Sequence, residues 1–287
     1  MSKEINQEVR NELNGTEHQQ AQQEESQDGV YEQIGVAMTC RSYDEYERMF
    51  MLAEELPQHG AAILDVAAGA SSFTAELNKR GYVTVACDPR YGMTPDELYE
   101  HGLQEQEIAS QKLAAIEQHL VWNDYSSLHE HNIIRQRSLQ QFIAHYLEHR
   151  SNVSNALNEQ TPLQLDDCTH LQERKSGNAD AYYVAASLPR LPLADDQFQL
   201  VVCNHFLFLY QEQFDDQFHL QALLELLRVT RPGGRILIYP LIGFRNEPYP
   251  HLDELMQALS QAGANVSLRS TSFRFLPKAD SFLQIIK

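Results

Sequence analysis

One stretch of this chain, AAILDVAAGASSFTAELNKRGYVTVACDPRYG at positions 61–92, constrains its fold more than any other. It contains in order a short apolar run, a turn of small residues, a helix-period segment and a second apolar run, the pattern of a βαβ unit. Ser71 or Ser72 can cap the helix, and Lys79, Arg80 and Gly81 give it a basic last turn and a glycine just past its end. The alternation returns near Asp180 with AYYVAAS, FQLVVCN, a helix through LQALLELLRV, the turn RPGG and the strand RILIYP. HLDELMQALSQAG then predicts a helix ended by Gly263, and NVSLRSTSFRF with SFLQIIK predicts a hairpin joined around Pro277. Repeated β–α alternation with right-handed crossovers implies an α/β fold, a doubly wound, mostly parallel sheet with helices on both faces. Counting the runs gives seven strands, the last two antiparallel.

The intervening segment breaks this rhythm. Residues 95–179 read as a helical insertion, a cap on a core formed by 30–94 and 180–287. Its first helix opens with Thr94, Pro95 and Glu97, an N-cap, an N1 proline and the acid of a capping box. Its second is marked by Leu139, Phe142, Ile143, Tyr146 and Leu147 at helical spacing, and 150–179 read as mostly irregular. A further helix from Tyr43 to Leu56 precedes the core, ending at Pro57. Residues 1–29 hold few large apolar side chains and read as a mobile tail.

Charge and cysteine usage narrow the function. Lys and Arg total 22 against 40 Asp and Glu, a net charge of -18, which repels a nucleic-acid backbone over most of the surface. No apolar run reaches the roughly 20 residues of a membrane span, and the opening MSKEINQEVR lacks the apolar core expected of a secretory signal. Cys40, Cys87, Cys168 and Cys203 lie tens of residues apart, without CxxC pairing for zinc or redox chemistry. A cytoplasmic protein acting on small molecules is expected.

Ligands of doubly wound sheets sit beyond the carboxyl ends of the strands, where strand order reverses. There the turn Asp65-Val66-Ala67-Ala68-Gly69-Ala70-Ser71 is rich in small residues and enters a helix N-terminus. Asp88, 23 residues after Asp65, ends the second strand, where an acid can accept hydrogen bonds from ribose hydroxyls. Asp65 itself would repel a pyrophosphate but can hold an ammonium. An adenosyl ligand with an amino-acid end satisfies both acids; an ordinary strand–helix turn is the plain alternative.

These segments, ILDVAAGASSFTAEL, VACDP and YVAASLPRLPLADDQFQLVVCNHFLFLY, resemble the class I S-adenosylmethionine-dependent methyltransferases, a Rossmann-like superfamily, and within it a bacterial subgroup of unknown substrate. The resemblance covers about 40–110 and 180–287. It implies S-adenosylmethionine as cofactor and S-adenosylhomocysteine as product. It places the cofactor on Ala67, Ala68 and Gly69, on Asp88 with Pro89 for the ribose, and on Ser187 and Leu188 for the adenine. Asn204 and His205, with Cys203, fall beside the transferring methyl. The family's glycine-rich turn falls on Asp65, Ala67, Gly69 and Ser71, two of its glycines being replaced by small residues, and Ser187 stands where an adenine-contacting acid is usual.

Arg41 can pair with the cofactor carboxylate, since a guanidinium grips carboxylates bidentately. His205 is the candidate general base, and Tyr125, Arg135 and Tyr210 are candidates for acceptor binding. His129 with His131, and His145 with His149, have metal-compatible spacing but lack a completing acid or cysteine, so no metal is expected. The leading expectation is methyl transfer to a small or medium-sized acceptor. A non-catalytic adenosyl-ligand sensor or scaffold and a nicotinamide-dependent (NAD) oxidoreductase remain as rivals.

Overall fold

The computed structural model describes residues 31, 33–158 and 181–287; the expected tail at 1–29 and Cys168 lie outside them. Seven strands form one sheet: β1 Ala62–Val66, β2 Val83–Cys87, β3 Ala181–Val184, β4 Phe198–Asn204, β5 Thr230–Tyr239, β6 Asn265–Ser270 and β7 Ser281–Ile286, in the order β3-β2-β1-β4-β5-β7-β6. Strands β3 to β5 of that order are parallel, and β7 runs antiparallel to both β5 and β6. The chain builds outward from β1 to β3, then crosses to β4 on the other side of β1. The switch point therefore lies between the ends of β1 and β4, where Val66 pairs with Cys203.

Period-two alternation puts successive side chains on opposite faces of these strands. Leu64, Val66, Val201, Cys203, Ile236 and Ile238 join one buried cluster, and Ile63, Leu200, Val202, Leu237 and Tyr239 join another. Apolar residues on both faces require cover on both faces. Helices α6 (Asp216–Val229) and α7 (Leu252–Gln261) cover the first through Leu223, Leu226, Leu255 and Leu259. Helices α1 (Tyr43–Phe50) and α3 (Phe73–Lys79) cover the second through Tyr46, Phe50, Phe73 and Leu77.

Three local expectations are corrected. The single helix expected over 43–56 is divided at Met51, whose φ of 53° is left-handed, into α1 and the short α2, Leu52–Glu55; the break carries Leu52 into the core. The RPGG turn is absorbed into β5 as a bulge, since pairing with β4 jumps from Phe198↔Thr230 to Leu200↔Arg235. The insertion's second helix, α5, runs over Leu128–Asn158 rather than ending near 150, because RSNVSNALN contains neither glycine nor proline to stop it.

The insertion's first helix, α4, spans Pro95–Ala115 and carries the expected capping box at Thr94 and Glu97. It packs against α5 at Gly102, where an added Cβ would lie 2.7 Å from Leu139. Leu139, Phe142 and Tyr146 bury themselves with Tyr91, Ala68 and Met38, so α5 is seated on the core beside the first turn.

Candidate active site

The turn after β1 holds its shape through backbone geometry that few side chains tolerate. Ala67 and Gly69 both lie in the left-handed region, at φ 55° and 57°. For a residue with a Cβ this costs roughly 1 kcal/mol or more, a cost Ala67 bears and Gly69 avoids. At Gly69 contact matters too, since a Cβ would lie 2.7 Å from the Thr39 carbonyl oxygen.

That carbonyl belongs to a strap, residues 36–41, lying across the turn. The Ala70 N–H donates to Thr39 O at 2.9 Å and the Ser72 N–H to Arg41 O at 3.0 Å, so donors that open α3 are occupied by the chain itself. Asp65, 1% exposed, accepts hydrogen bonds from the Tyr46 hydroxyl (3.2 Å) and the Ser71 hydroxyl (3.3 Å). Burial raises its pKa well above the ordinary carboxyl value, against the opposing pull of those hydroxyls. The acid expected to face a ligand's ammonium is turned toward protein hydroxyls.

Asp88 ties the ends of β1 and β2 together. Its Oδ2 accepts from Gly69 N–H at 3.1 Å and its Oδ1 from Arg90 N–H at 2.9 Å. Burial raises its pKa, and these N–H groups and the Arg90 guanidinium oppose the rise. Pro89 opens a 3₁₀ turn over Pro89–Gly92, and Tyr91 within it donates to Gly69 O at 2.7 Å. Across β3, Ser187 bridges to Arg190, and Leu188 is buried in the cluster that contains Val66 and Val85. The structure thus gathers Asp65, Ala67, Ala68, Gly69, Asp88 and Pro89 around the first turn.

Arg41 and His205 line a cavity, partly open to solvent, together with Arg135, His131 and Tyr210. The insertion contributes Leu113, Ile116 and Leu120 to its wall, and the segment after β5 and the β6–β7 connection contribute Phe244, Phe275 and Leu276. Tyr125 does not line the cavity; it stands behind Arg135.

Behind the cavity sits a buried ionic cluster centred on Glu45, which is fully buried. Glu45 accepts from Arg41 Nη1 at 3.1 Å, from Ser42 N–H at 2.8 Å, and from Arg135 and the Tyr125 hydroxyl. Burial works against its ionisation, but the guanidiniums of Arg135 and Arg41 outweigh that and hold its pKa well below the usual range. Arg135 is correspondingly raised by Glu45 despite its own burial. Glu45 was not among the residues singled out from sequence, although Ser42 three positions earlier makes a readable capping box with it.

His205 follows β4 in the left-handed conformation, φ 52°, and its N–H donates to Tyr239 O at 2.6 Å. Burial, with Arg41 and Arg135 nearby, pushes its pKa well below the ordinary value, so the ring is neutral at pH 7. Its Nδ1 bonds to Asn204 Oδ1; that nitrogen therefore carries the hydrogen, and Nε2 keeps its lone pair. His131 stacks on Phe275 with ring centroids 5.4 Å apart. Burial and Arg135 lower it to about 3. Among the described residues no group of three His, Cys, Asp or Glu side chains is placed to hold a metal, and no helix is long and apolar enough to cross a membrane.

The seven-stranded, mostly parallel sheet with an antiparallel end matches the fold expected from sequence, and a family model bears on the activity. Residues 143–238 match the model of a methyltransferase domain, a span running from within α5 through β3, β4, α6 and nearly all of β5. The match supports methyl transfer as the general activity. An uncharacterized protein of the archaeon Methanocaldococcus jannaschii is 27% identical over 246 residues, covering 85% of this chain and 93% of its own. Among solved structures, an S-adenosylmethionine-dependent methyltransferase from Aquifex aeolicus aligns with TM-score 0.40 and 15% identity, over 84% of this chain and 88% of its own. A magnesium protoporphyrin IX methyltransferase from Synechocystis, crystallised with S-adenosylhomocysteine, aligns with TM-score 0.42 and 11% identity, over 85% and 81%. Superpositions this loose assign no residue a role.

Proposed function

We propose that this protein transfers a methyl group from S-adenosylmethionine to a small or medium-sized acceptor held in the cavity beside His205. The observation that carries the reading is the placement of Asp88 at the end of β2, its carboxylate bound to the backbone of the first turn at Gly69. In this reading the buried acid accepts the ribose hydroxyls of an adenosyl ligand lying across the strand ends near the switch point of the sheet. Leu188 and Ser187 lie on the neighbouring strand end, where the base would pack, while Asn204 lies toward the methionine end.

The donor set fits such a ligand, and the strap decides access to it. Asp88 is 4% exposed, and Arg90 reaches over it to the Val36 carbonyl, so the ribose can meet Asp88 only if 36–40 shift away from the turn. When bound, the cofactor supplies an electrophilic methyl on a sulfonium and leaves as the neutral thioether S-adenosylhomocysteine. The protein's own contribution is alignment and exclusion of water, and the neutral Nε2 of His205 can take the proton an oxygen or nitrogen acceptor loses. The buried thiols of Cys40 and Cys203 are free, which accords with a reducing cytoplasm.

Titration calorimetry with S-adenosylhomocysteine, S-adenosylmethionine and NAD tests the reading. The adenosyl ligands should bind and NAD should not. Asp88→Ala should weaken the adenosyl ligands by about 1–3 kcal/mol, the worth of lost hydrogen bonds to a charged group. Hydrogen exchange at the Ala70 and Ser72 amides should change on binding as the strap moves. A folded Asp88→Ala protein with unaltered affinity would remove the ribose assignment.

A further inference from the structure

The cavity wall is apolar over most of its extent, yet one end of it carries two arginines. Arg41 and Arg135 are 8% and 7% exposed, and among the described residues no acidic side chain lines the cavity with them. Glu45 lies behind both and is the single carboxylate they share. Among the described residues, two guanidiniums against one carboxylate leave one positive charge in excess. The next acid along α4, Glu105, lies outside the lining and is engaged with His101 at 3.7 Å.

A buried charge without a counter-charge is expensive, and its geometry shows where the missing partner belongs. Arg135 spends its fork on Glu45 and Tyr125. Arg41 gives only Nη1 to Glu45, and its Nε is buried with no hydrogen-bond partner. A planar carboxylate is the anion that fits one edge of a guanidinium. The imidazoles of His131 and His205, both neutral at pH 7, add no competing charge, and Tyr210, whose hydroxyl accepts from Ala37 N–H at 3.0 Å, keeps its own proton to donate.

Leading away from Arg41, the wall is formed by Leu113, Ile116, Leu120, Phe244, Phe275 and Leu276. Such a surface suits a hydrocarbon or aromatic body and offers little to the polar parts of a nucleoside. We infer that the cavity takes an amphipathic carboxylate, its anionic end on Arg41 and its apolar body along the insertion and the β6–β7 connection, as the molecule this protein methylates. The inference rests on the methyltransferase reading for its last clause only; the recognition of a carboxylate stands on the cavity itself.

The test uses the full chain and two isosteric probes, 3-phenylpropanoate and 3-phenylpropanamide, titrated calorimetrically alongside S-adenosylhomocysteine. The acid should bind at least about tenfold more tightly than the amide. Arg41→Gln should abolish that preference, Arg41→Lys should keep part of it, and S-adenosylhomocysteine should bind Arg41→Gln about as well as it binds the unmodified protein. Equal binding of acid and amide, or binding of neither, overturns the inference, and both are read on the unmodified chain should Arg41→Gln fail to fold. A variant that loses S-adenosylhomocysteine while the acid keeps its advantage overturns it too, since Arg41 would then serve the cofactor's own carboxylate. Failure of S-adenosylhomocysteine to bind the unmodified protein would refute the methyltransferase reading and leave the acid–amide comparison to decide the carboxylate site.

Discussion

Glu45→Gln probes the cluster on which the cavity is built. Glutamine keeps the shape of the side chain but removes the charge shared by Arg41 and Arg135, both at least nine-tenths buried. It also replaces an oxygen that accepts from the Ser42 N–H at 2.8 Å, half of the α1 capping box. Breaking a buried pair by removing one partner costs about 3–5 kcal/mol, because the charge left behind stays desolvated. For a chain of this size that corresponds to a fall in Tm of roughly 6–15 °C. Urea unfolding followed by circular dichroism gives the free energy directly, and scanning calorimetry gives the Tm. The second arm is Arg135→Met in the Glu45→Gln background: removing one stranded guanidinium should recover part of the loss, so the two effects should be less than additive. A loss under about 1 kcal/mol, the range of a surface ion pair, or strict additivity of the two substitutions, would refute the claim that these charges form one buried unit.

The same cluster shapes the response to pH. The pKa of Glu45 is lowered in the folded state, so its contribution is present above the unfolded value and lost as pH falls through the folded one; Glu45→Gln should flatten the acid limb of stability below about pH 4.3. His131 falls from 6.5 to about 3. The unfolded chain therefore binds the extra proton between those values, stability drops as pH falls from 6.5, and His131 accounts for about 2 kcal/mol of loss by pH 5. His131→Phe, which preserves the stack on Phe275, should remove that share; an identical pH 7-to-5 difference in urea midpoints for both proteins would count against it. In the first turn, Gly69→Ala places a Cβ against Thr39 O and should destabilise by about 2 kcal/mol or more. Ala67→Gly relieves a left-handed alanine and should be neutral to about 1 kcal/mol stabilising; a clear destabilisation there would show that the Cβ of Ala67 packs in a way its φ does not reveal.

The framework of the fold was legible because its signals are local. Alternation in AILDV and VTVAC, the small-residue turn between them and helix, and the capping residues at Ser42, Thr94 and Asp215 each lie within a few positions of what they specify. The seven strands and their antiparallel end follow from such signals. The cavity was only partly legible. His205, Arg41, Arg135 and Tyr210 could be named from strand ends and residue type, but Glu45 joins Tyr125 and Arg135 across 80 and 90 residues of sequence, a separation no periodicity encodes. The strap was invisible for a related reason. Thr39 contacts Gly69 through backbone atoms, so no side-chain pattern announces it, and the turn that looked open to a ligand is covered by its own chain.

The charge of the molecule and the charge of the cavity have opposite signs, and the difference between them is what makes the cavity selective. A net charge of -18 acts on an approaching anion through water and salt, where interactions beyond about 8 Å are screened at physiological ionic strength. Arg41 acts from a site that is 8% exposed, where screening is weak and a planar fork can close on a carboxylate. The acidic surface thus slows encounter with anions in general, polyanions most of all, since repulsion grows with the number of charges they carry. A small monoanion with an apolar body loses least to that repulsion and gains most on arrival, because it buries hydrocarbon against Leu113 and Phe275 while its carboxylate meets Arg41, whose buried Nε has no partner among the described residues. Placing the surplus charge behind an apolar wall also works against free inorganic anions, which can reach Arg41 only by giving up hydration with no apolar surface to bury in return.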